Sequence, residues 1–503
     1  MRTLRTAALA ACLAAAPALA GDFVDSRLSF VFADDNVLAG AGETNPSSPN
    51  AGFGAGPQNT LFFENLNTKF SGFETLSNLV LYKSMPAFFE GLTTEAAFTV
   101  LFLERPSGGI DLRDNSSYIR LAFRPAWWGP NESLSLTGFP VSADRFRLGY
   151  AYRISWGGTG IFTSNAFSTG VPGMKLQITR DRWYAFAGLK TALVLNELIL
   201  EKERLYGFLG GAGVDLTPTF RLEAGGGYFQ KGLIPGLASQ GIAAPINSAG
   251  GSAQIVYHHG VPVGTSVDFK LYRNDPDVYQ RFFAPEPYPG GFQATVSLEG
   301  SQLVQTLADP DVPARTVPQG ATAAILQARF KYNFLRLHAV GLYRTLSYIQ
   351  FEVPGFPPFF DFPDGTVVKP EMFAAAGFDY HFAGAHFTPG LTLGIQQPAS
   401  FKSPQTVIGG AEPPASLSGA RTVVVRDVNL VSILPIGFDT IPILSAKATF
   451  RWDLSESVAA VGEVYYTRDA NRVTFRDSVS GVVEPTFEKE HQLGFNTILQ
   501  ARF

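Results

Sequence analysis

The chain has 503 residues, including 51 Gly, 43 Phe and 17 Tyr; only 16% are charged and the net charge is −4. Such a balance offers nucleic acid no attractive surface. Hydrophobic residues make up 46%, yet beyond residue 20 no run reaches the roughly 18 apolar residues that a spanning helix requires. A chain this long would ordinarily divide into about two or three soluble domains, but no linker, charge block or shift of composition divides residues 21–503, which read as one domain.

Residues 1–20 read as a secretory leader. Arg2 and Arg5 form a basic start, 7–16 an apolar stretch, and Ala18-Leu19-Ala20 a small-x-small cleavage site. Leu9-Ala10-Ala11-Cys12 fits a lipobox, but only about six apolar residues precede Cys12, against the ~7–15 of an ordinary leader. Cys12 is the only cysteine. Once it leaves with the leader, disulfides, thiolate metal sites and Cys catalysis are excluded.

From there on, segments of about ten residues alternate apolar and polar side chains, which gives a strand one greasy and one wet face. In chain order they fall near 24–33, 70–83, 92–103, 118–124, 144–156, 203–215, 218–230, 249–258 and 262–273. Others follow near 291–305, 321–332, 335–348, 371–382, 386–397, 420–432, 441–452 and 456–468, with weaker ones at 132–139, 173–179 and 184–194. The clearest is 144–156. There Phe146, Leu148, Tyr150, Tyr152, Ile154 and Trp156 face one way, and Arg145, Arg147, Gly149, Ala151, Arg153 and Ser155 the other. A soluble sandwich would not bury three Arg on one face, whereas the lumen of a barrel would hold them.

Between these segments lie turns and longer loops. Asp453-Leu454-Ser455-Glu456 is a tight turn, and 349–370 carries Phe356-Pro357-Pro358-Phe359-Phe360. That run is expected to fold on itself or rest at the lipid interface, or else to plug the lumen. The stretch 398–419 is awkward, because strand parity places it among the short turns. Trp127, Trp128, Trp156, Trp452, Tyr465 and Tyr466 fall at strand ends, where interfacial aromatic girdles are expected.

The last segment alternates most strictly. Leu493, Phe495, Thr497, Leu499, Ala501 and Phe503 share a face, with Ile498 the one apolar residue on the other. A chain ending on Phe in such a strand resembles the outer-membrane β-barrels of Gram-negative bacteria. The resemblance implies an all-β, transmembrane antiparallel β-barrel in that membrane. It also implies that Phe495, Leu499 and Phe503 belong to the signal read by the barrel-assembly machinery. At ~9–11 residues per tilted strand plus turns, the length corresponds to about 18 strands, with about 16 or 20 as alternatives.

Conventional chemistry is not expected. His258, His259, His338, His381, His386 and His491 form no His-Glu-x-x-His motif, and neither a Gly-x-Ser-x-Gly elbow nor a Walker loop occurs. His258-His259 reads as a solvated strand end. Gly225-Gly226-Gly227 reads as a bulge or a close approach rather than a nucleotide loop. No catalytic, cofactor or metal residue is assigned, and the chain is not read as an enzyme.

What remains is a set of cations on the lumen parity. Arg120, Arg124, Arg145, Arg147 and Arg153 come from segments expected to neighbour each other in the wall. Lys175, Arg221, Lys270, Arg329, Lys331, Arg336, Arg344, Lys447, Arg451 and Arg502 share that parity, against Glu223, Asp268 and Glu463. The expected pore lining is Arg120, Arg124, Arg145, Arg147, Arg153, Lys270, Arg329, Lys331 and Arg451. Such a ladder favours anions in a water-filled pore and can hold carboxylate or phosphate bidentately. Alternatively the same side chains cross-brace wall acids and close the barrel. The expected function is a passive, porin-like channel for small anions. A barrel exporting an acidic polymer, as in alginate-type export, and a structural barrel of an envelope-spanning complex are the alternatives. Membrane lipid and the assembly machinery are the expected partners.

Overall fold

A computed structural model of the chain describes residues 23–34, 36–38, 50–53, 78–86, 88–104, 110–114, 116–162, 170–196, 198–238, 240–261, 290–309, 311–312, 315–351, 361–362, 364–402, 421–427, 430–477 and 483–502. The ring strands are β1 (Phe23–Asp34), β2 (Asn78–Pro86), β3 (Leu92–Glu104), β4 (Tyr118–Phe123), β5 (Ser133–Phe139), β6 (Gly173–Thr179), β7 (Trp183–Asn196), β8 (Glu201–Thr217) and β9 (Phe220–Leu233). They continue as β10 (Pro245–His259), β11 (Gln293–Ala308), β12 (Thr316–Tyr332), β13 (Leu335–Arg344), β14 (Glu371–Tyr380), β15 (Phe387–Gln397), β16 (Ile443–Asp453), β17 (Val458–Arg468) and β18 (His491–Arg502). The main sheet contains 20 strands. Two short ones, Asn50–Phe53 and Ile110–Asp114, extend the wall positions of β2 and β4, so the ring has eighteen positions.

Each ring strand pairs antiparallel with its neighbours in sequence. β1 then closes the circle on β18, from Arg27↔Arg502 to Asp34↔Phe495. Closure leaves no open edge, so the backbone polar groups of the wall are paired within it, as hydrocarbon requires. No helix among the described residues is long and apolar enough to cross a membrane.

Alternation along each strand decides what faces out. Phe208, Leu298 and Leu393 are more than half exposed, while inward neighbours such as Leu209, Glu299 and Thr392 are buried. Exposed aromatics gather at the two ends of the wall. Trp183, Tyr332, Tyr380 and Trp452 lie at the short-turn end, and Tyr206, Tyr228, Tyr343 and Tyr466 at the other. Along β9, Phe220 and Tyr228 stand about 26 Å apart at ~3.3 Å per residue, before tilt is allowed for. This greasy band between aromatic girdles is what a bilayer solvates. Of the aromatics expected there, Trp127, Trp452 and Tyr466 are exposed, and Trp128 lies half-buried in the 124–132 turn under the Arg180 guanidinium, 4.4 Å from its ring. Trp156 and Tyr465 are buried inside and belong to no girdle.

Short turns at 124–132, 180–182, 218–219, 333–334, 381–386 and 454–457 share the end that holds both ends of the ring. Longer connections, including 140–172, 345–370, 398–442 and 469–490, leave the opposite end; 260–292 is the one long connection at the turn end. Two expected strands are corrected here. Segment 420–432 is not wall: Thr422–Asp427 and Leu430–Ile433 join Val367–Lys369 and Ala399–Lys402 in a small four-stranded sheet above the long-loop end. Removing it from the wall count restores parity, so the flanks of 403–420 stand among the long loops. Segment 144–156 is not wall either. It lies inside the barrel, as described next. The expected strand at 262–273, the Phe-Pro run at 356–360 and Phe503 lie outside the described residues.

Candidate functional site: the lumen and its inward loop

Between β5 and β6 the chain turns into the barrel. Residues 144–156 make a single antiparallel bridge, Leu148↔Trp156, and a 3-10 turn at Tyr152–Ile154. Phe146, Leu148, Ile154, Trp156, Ile161 and Phe162 are almost completely buried against the inner faces of β7–β12. Glycines in the wall make room for them. A Cβ at Gly188 would stand 2.5 Å from the Phe146 ring, and Cβ atoms at Gly225 and Gly227 would press on Leu148 at 3.1 and 2.8 Å. The triple glycine is thus a place of close approach. Trp156 meets Phe229 edge-on, with centroids 5.7 Å apart, and its indole N–H donates to Ser252 Oγ at 2.9 Å. A second segment enters from the loop after β13. Tyr348, on the short helix Leu346–Gln350, donates its hydroxyl to the Ile154 carbonyl, and Phe351 meets the edge of Trp156.

Polar groups of the wall seize the loop backbone. Lys190 Nζ, fully buried on β7, donates to the Gly157 carbonyl at 2.6 Å. Glu299 on β11 accepts from the backbone N–H groups of Tyr150 at 2.9 Å and Ala151 at 2.6 Å. Within the loop, Asp144 accepts from the N–H and hydroxyl of Thr159, both at 2.9 Å. Burial alone would raise the Asp144 pKa. The nearby Arg147 guanidinium, the Thr159 hydrogen bonds and the Lys190 charge outweigh it and hold this carboxyl below the usual carboxylate range.

The sequence-derived lining residues divide accordingly. Arg145, Arg147 and Arg153 are on the inward loop, not in the wall; Arg145 is buried and its N–H donates to Ser116 Oγ at 3.1 Å. Arg120 faces inward from β4 and pairs with Glu95 opposite it on β3. Arg124 lies past the end of β4, exposed in the turn, and donates to the Pro130 carbonyl at 3.1 Å. Arg329, Lys331 and Arg451 take the inward positions of β12 and β16, with Arg329 exposed and Lys331 buried. Arg451 pairs with Asp453 at 2.7 Å. Lys270 lies outside the described residues. Of the strand proposed as the insertion signal, Phe495 and Leu499 sit in the closing β18, Leu499 exposed outward.

Several charges of the site were missed at the level of sequence. Asp379 pairs with Arg336 at 2.7 Å, Glu371 with Arg344 at 2.6 Å and Asp215 with Arg221 at 2.6 Å, each directly across a strand boundary. Glu299 and Lys190 also went unassigned. The alternation Ser297-Leu298-Glu299-Gly300-Ser301 would have placed Glu299 inside; Lys190 is flanked on its strand's inner face by Phe186, Gly188, Ala192 and Val194. Many of the inward cations thus carry an acidic partner on the neighbouring strand. No cluster of three or more His, Cys, Asp or Glu among the described residues could hold a metal ion. His258 Nδ1 lies 2.9 Å from the Val261 carbonyl at the end of β10.

The chain is a closed antiparallel β-barrel with an apolar outer face. No protein-family profile and no curated protein matches its sequence. Solved barrels resemble it over nearly its full length. OpdL of Pseudomonas aeruginosa shares 11% identity with a TM-score of 0.41, covering 96% of this chain and 99% of its own. OccK11 (OpdR) of the same organism shares 8% at 0.43, with 96% and 95% covered, and OccAB4 of Acinetobacter baumannii 7% at 0.43, with 96% and 98% covered. Superposition is loose in each case, and the architecture rests on the chain's own strand pairing.

Proposed function

We propose that the protein is a passive, porin-like channel in the outer membrane of a Gram-negative bacterium, narrowed by loop 140–162 and leaning toward anions. The observation that carries this reading is the inverted pattern of the ring. Its outside is apolar, and its inside holds charged side chains of which Arg329, on an inward position, is open to solvent. A hydrated guanidinium lowers the barrier to anions and raises it to cations. Solutes carrying carboxylate or phosphate are the natural clients, whether small molecules or an acidic polymer. Lipid around the belt and the barrel-assembly machinery, through β18, are the partners this reading implies.

One observation favours a second reading. The cross-strand pairs and the fully buried loop aromatics are what a braced, closed barrel of an envelope complex would use. Single-channel conductance of the refolded protein in a planar bilayer under a salt gradient separates the two. Steady conductance with an anion-selective reversal potential supports the channel; silence from a correctly folded barrel supports the structural role.

A further inference from the structure

We infer that Glu299 is the residue that positions the constriction: from β11 its carboxylate holds the Tyr150–Ala151 turn of the inward loop in the lumen. The electrical consequence rests on the channel reading above, but the mechanical role does not. The side chain is 2% exposed, and its two oxygens are divided between two adjacent N–H groups, Oε1 to Tyr150 and Oε2 to Ala151. It takes part in no ion pair among the described residues. A carboxyl group offers one oxygen as acceptor to each of two converging N–H groups, which is the arrangement seen here. A glutamine would turn an NH2 group toward one of them. The loop is shaped to meet the acid as well. Gly149 has φ +89°, and a Cβ there would stand 2.9 Å from Glu299 Oε1 and 3.0 Å from the Ser155 Cα. Only glycine lets the backbone close onto the carboxylate in that conformation.

Other anchors lie on either side of this turn: before it, Ser116 Oγ accepts from the Arg145 N–H. Ser252 holds Trp156, Lys190 holds the Gly157 carbonyl, and Tyr348 holds the Ile154 carbonyl. Glu299 is the wall side chain that holds the backbone of the 150–151 turn. If that joint opens, the turn leaves the wall while the Trp156 region stays docked, and the pore cross-section changes without loss of the barrel.

The test uses the full chain, refolded, with Cys12→Ser and a reporter Ala151→Cys, a position 3% exposed. Modification by a water-soluble methanethiosulfonate reagent is timed, and heat-modifiable mobility certifies the barrel. Leaving one buried N–H of the joint facing an NH2 group should raise the rate in Glu299→Gln by about tenfold or more. Gly149→Ala, which attacks the joint from the loop side, should do the same. Glu299→Asp, which keeps a carboxyl group with two acceptor oxygens, should raise it less than Glu299→Gln. Unchanged rates in folded Glu299→Gln and Gly149→Ala overturn the proposal. Raised rates in a protein that never conducts leave the positioning role standing and remove the channel reading. Conductance with unchanged reporter rates does the reverse.

Discussion

Removing Glu463 should destabilise the barrel far more than removing the Lys447–Glu463 pair together. Lys447 on β16 and Glu463 on β17 lie diagonally across one strand boundary, with side chains 1% and 3% exposed and N and O 3.2 Å apart. At an effective dielectric of ~20, unit charges at that separation attract by about 5 kcal/mol. Taking both out of water costs several kcal/mol per ion, so the pair itself nearly breaks even. Glu463→Leu leaves the Lys447 ammonium buried without its carboxylate, at a cost of about 3–5 kcal/mol. The double variant Glu463→Leu with Lys447→Met should return to within ~1 kcal/mol of the parent, since an apolar pair of similar volume replaces the ions. Guanidinium unfolding in lipid vesicles, followed by tryptophan fluorescence and heat-modifiable mobility, gives all corners of the cycle. A loss below ~1 kcal/mol in Glu463→Leu would refute the reasoning, because it would mean that water reaches Lys447 and the inner wall there is wet.

Arg329→Gln, at an exposed inward position, should shift the reversal potential toward cations with little change in stability; an unmoved potential removes Arg329 from the ion path. Trp156→Ala should cost about 3–5 kcal/mol through the cavity it leaves and should enlarge or destabilise the open-channel current, read in the same bilayer. Asp144 contributes through a depressed pKa, so its share of loop stability is present above the unfolded carboxylate value of about 4 and is lost only as pH falls through the lower folded value. Conductance should therefore be the same at about pH 7 and about pH 5 as far as this group is concerned, while Asp144→Asn should loosen the loop at both, as seen in current noise. Deleting Phe503 should lower the yield of heat-modifiable barrel several-fold, and a normal yield would remove the terminal residue from the insertion signal.

Most of the wall could be read from alternation. Strands such as 203–215, 218–230 and 371–382 have lipid on one side and lumen on the other, so period two appears directly in their composition. The expected count of about eighteen followed from length and the reach of a tilted strand. Segment 144–156 shows where that logic fails. Phe146, Leu148, Ile154 and Trp156 are buried, but so are Arg145, Ala151 and Ser155 of the other parity, so the segment does not keep the two faces of a wall strand. Alternation reports that an extended segment has two faces; it does not report whether the segment is hydrogen-bonded into a sheet or laid against one. Segment 420–432 failed for the same reason, its apolar residues serving a small sheet outside the ring.

The sequence by itself determined the class of solvent on each side of the wall, because burial in lipid or lumen acts on every second residue and leaves a local trace. Only the tertiary structure decided what the charges do. Arg336 meets Asp379 and Arg344 meets Glu371 because register places them opposite each other, and Glu299 meets Tyr150 across 149 residues of sequence. Contacts set by ring closure and by the inward path of a loop leave no periodic trace in the chain, since the partners are neighbours only after the barrel has formed.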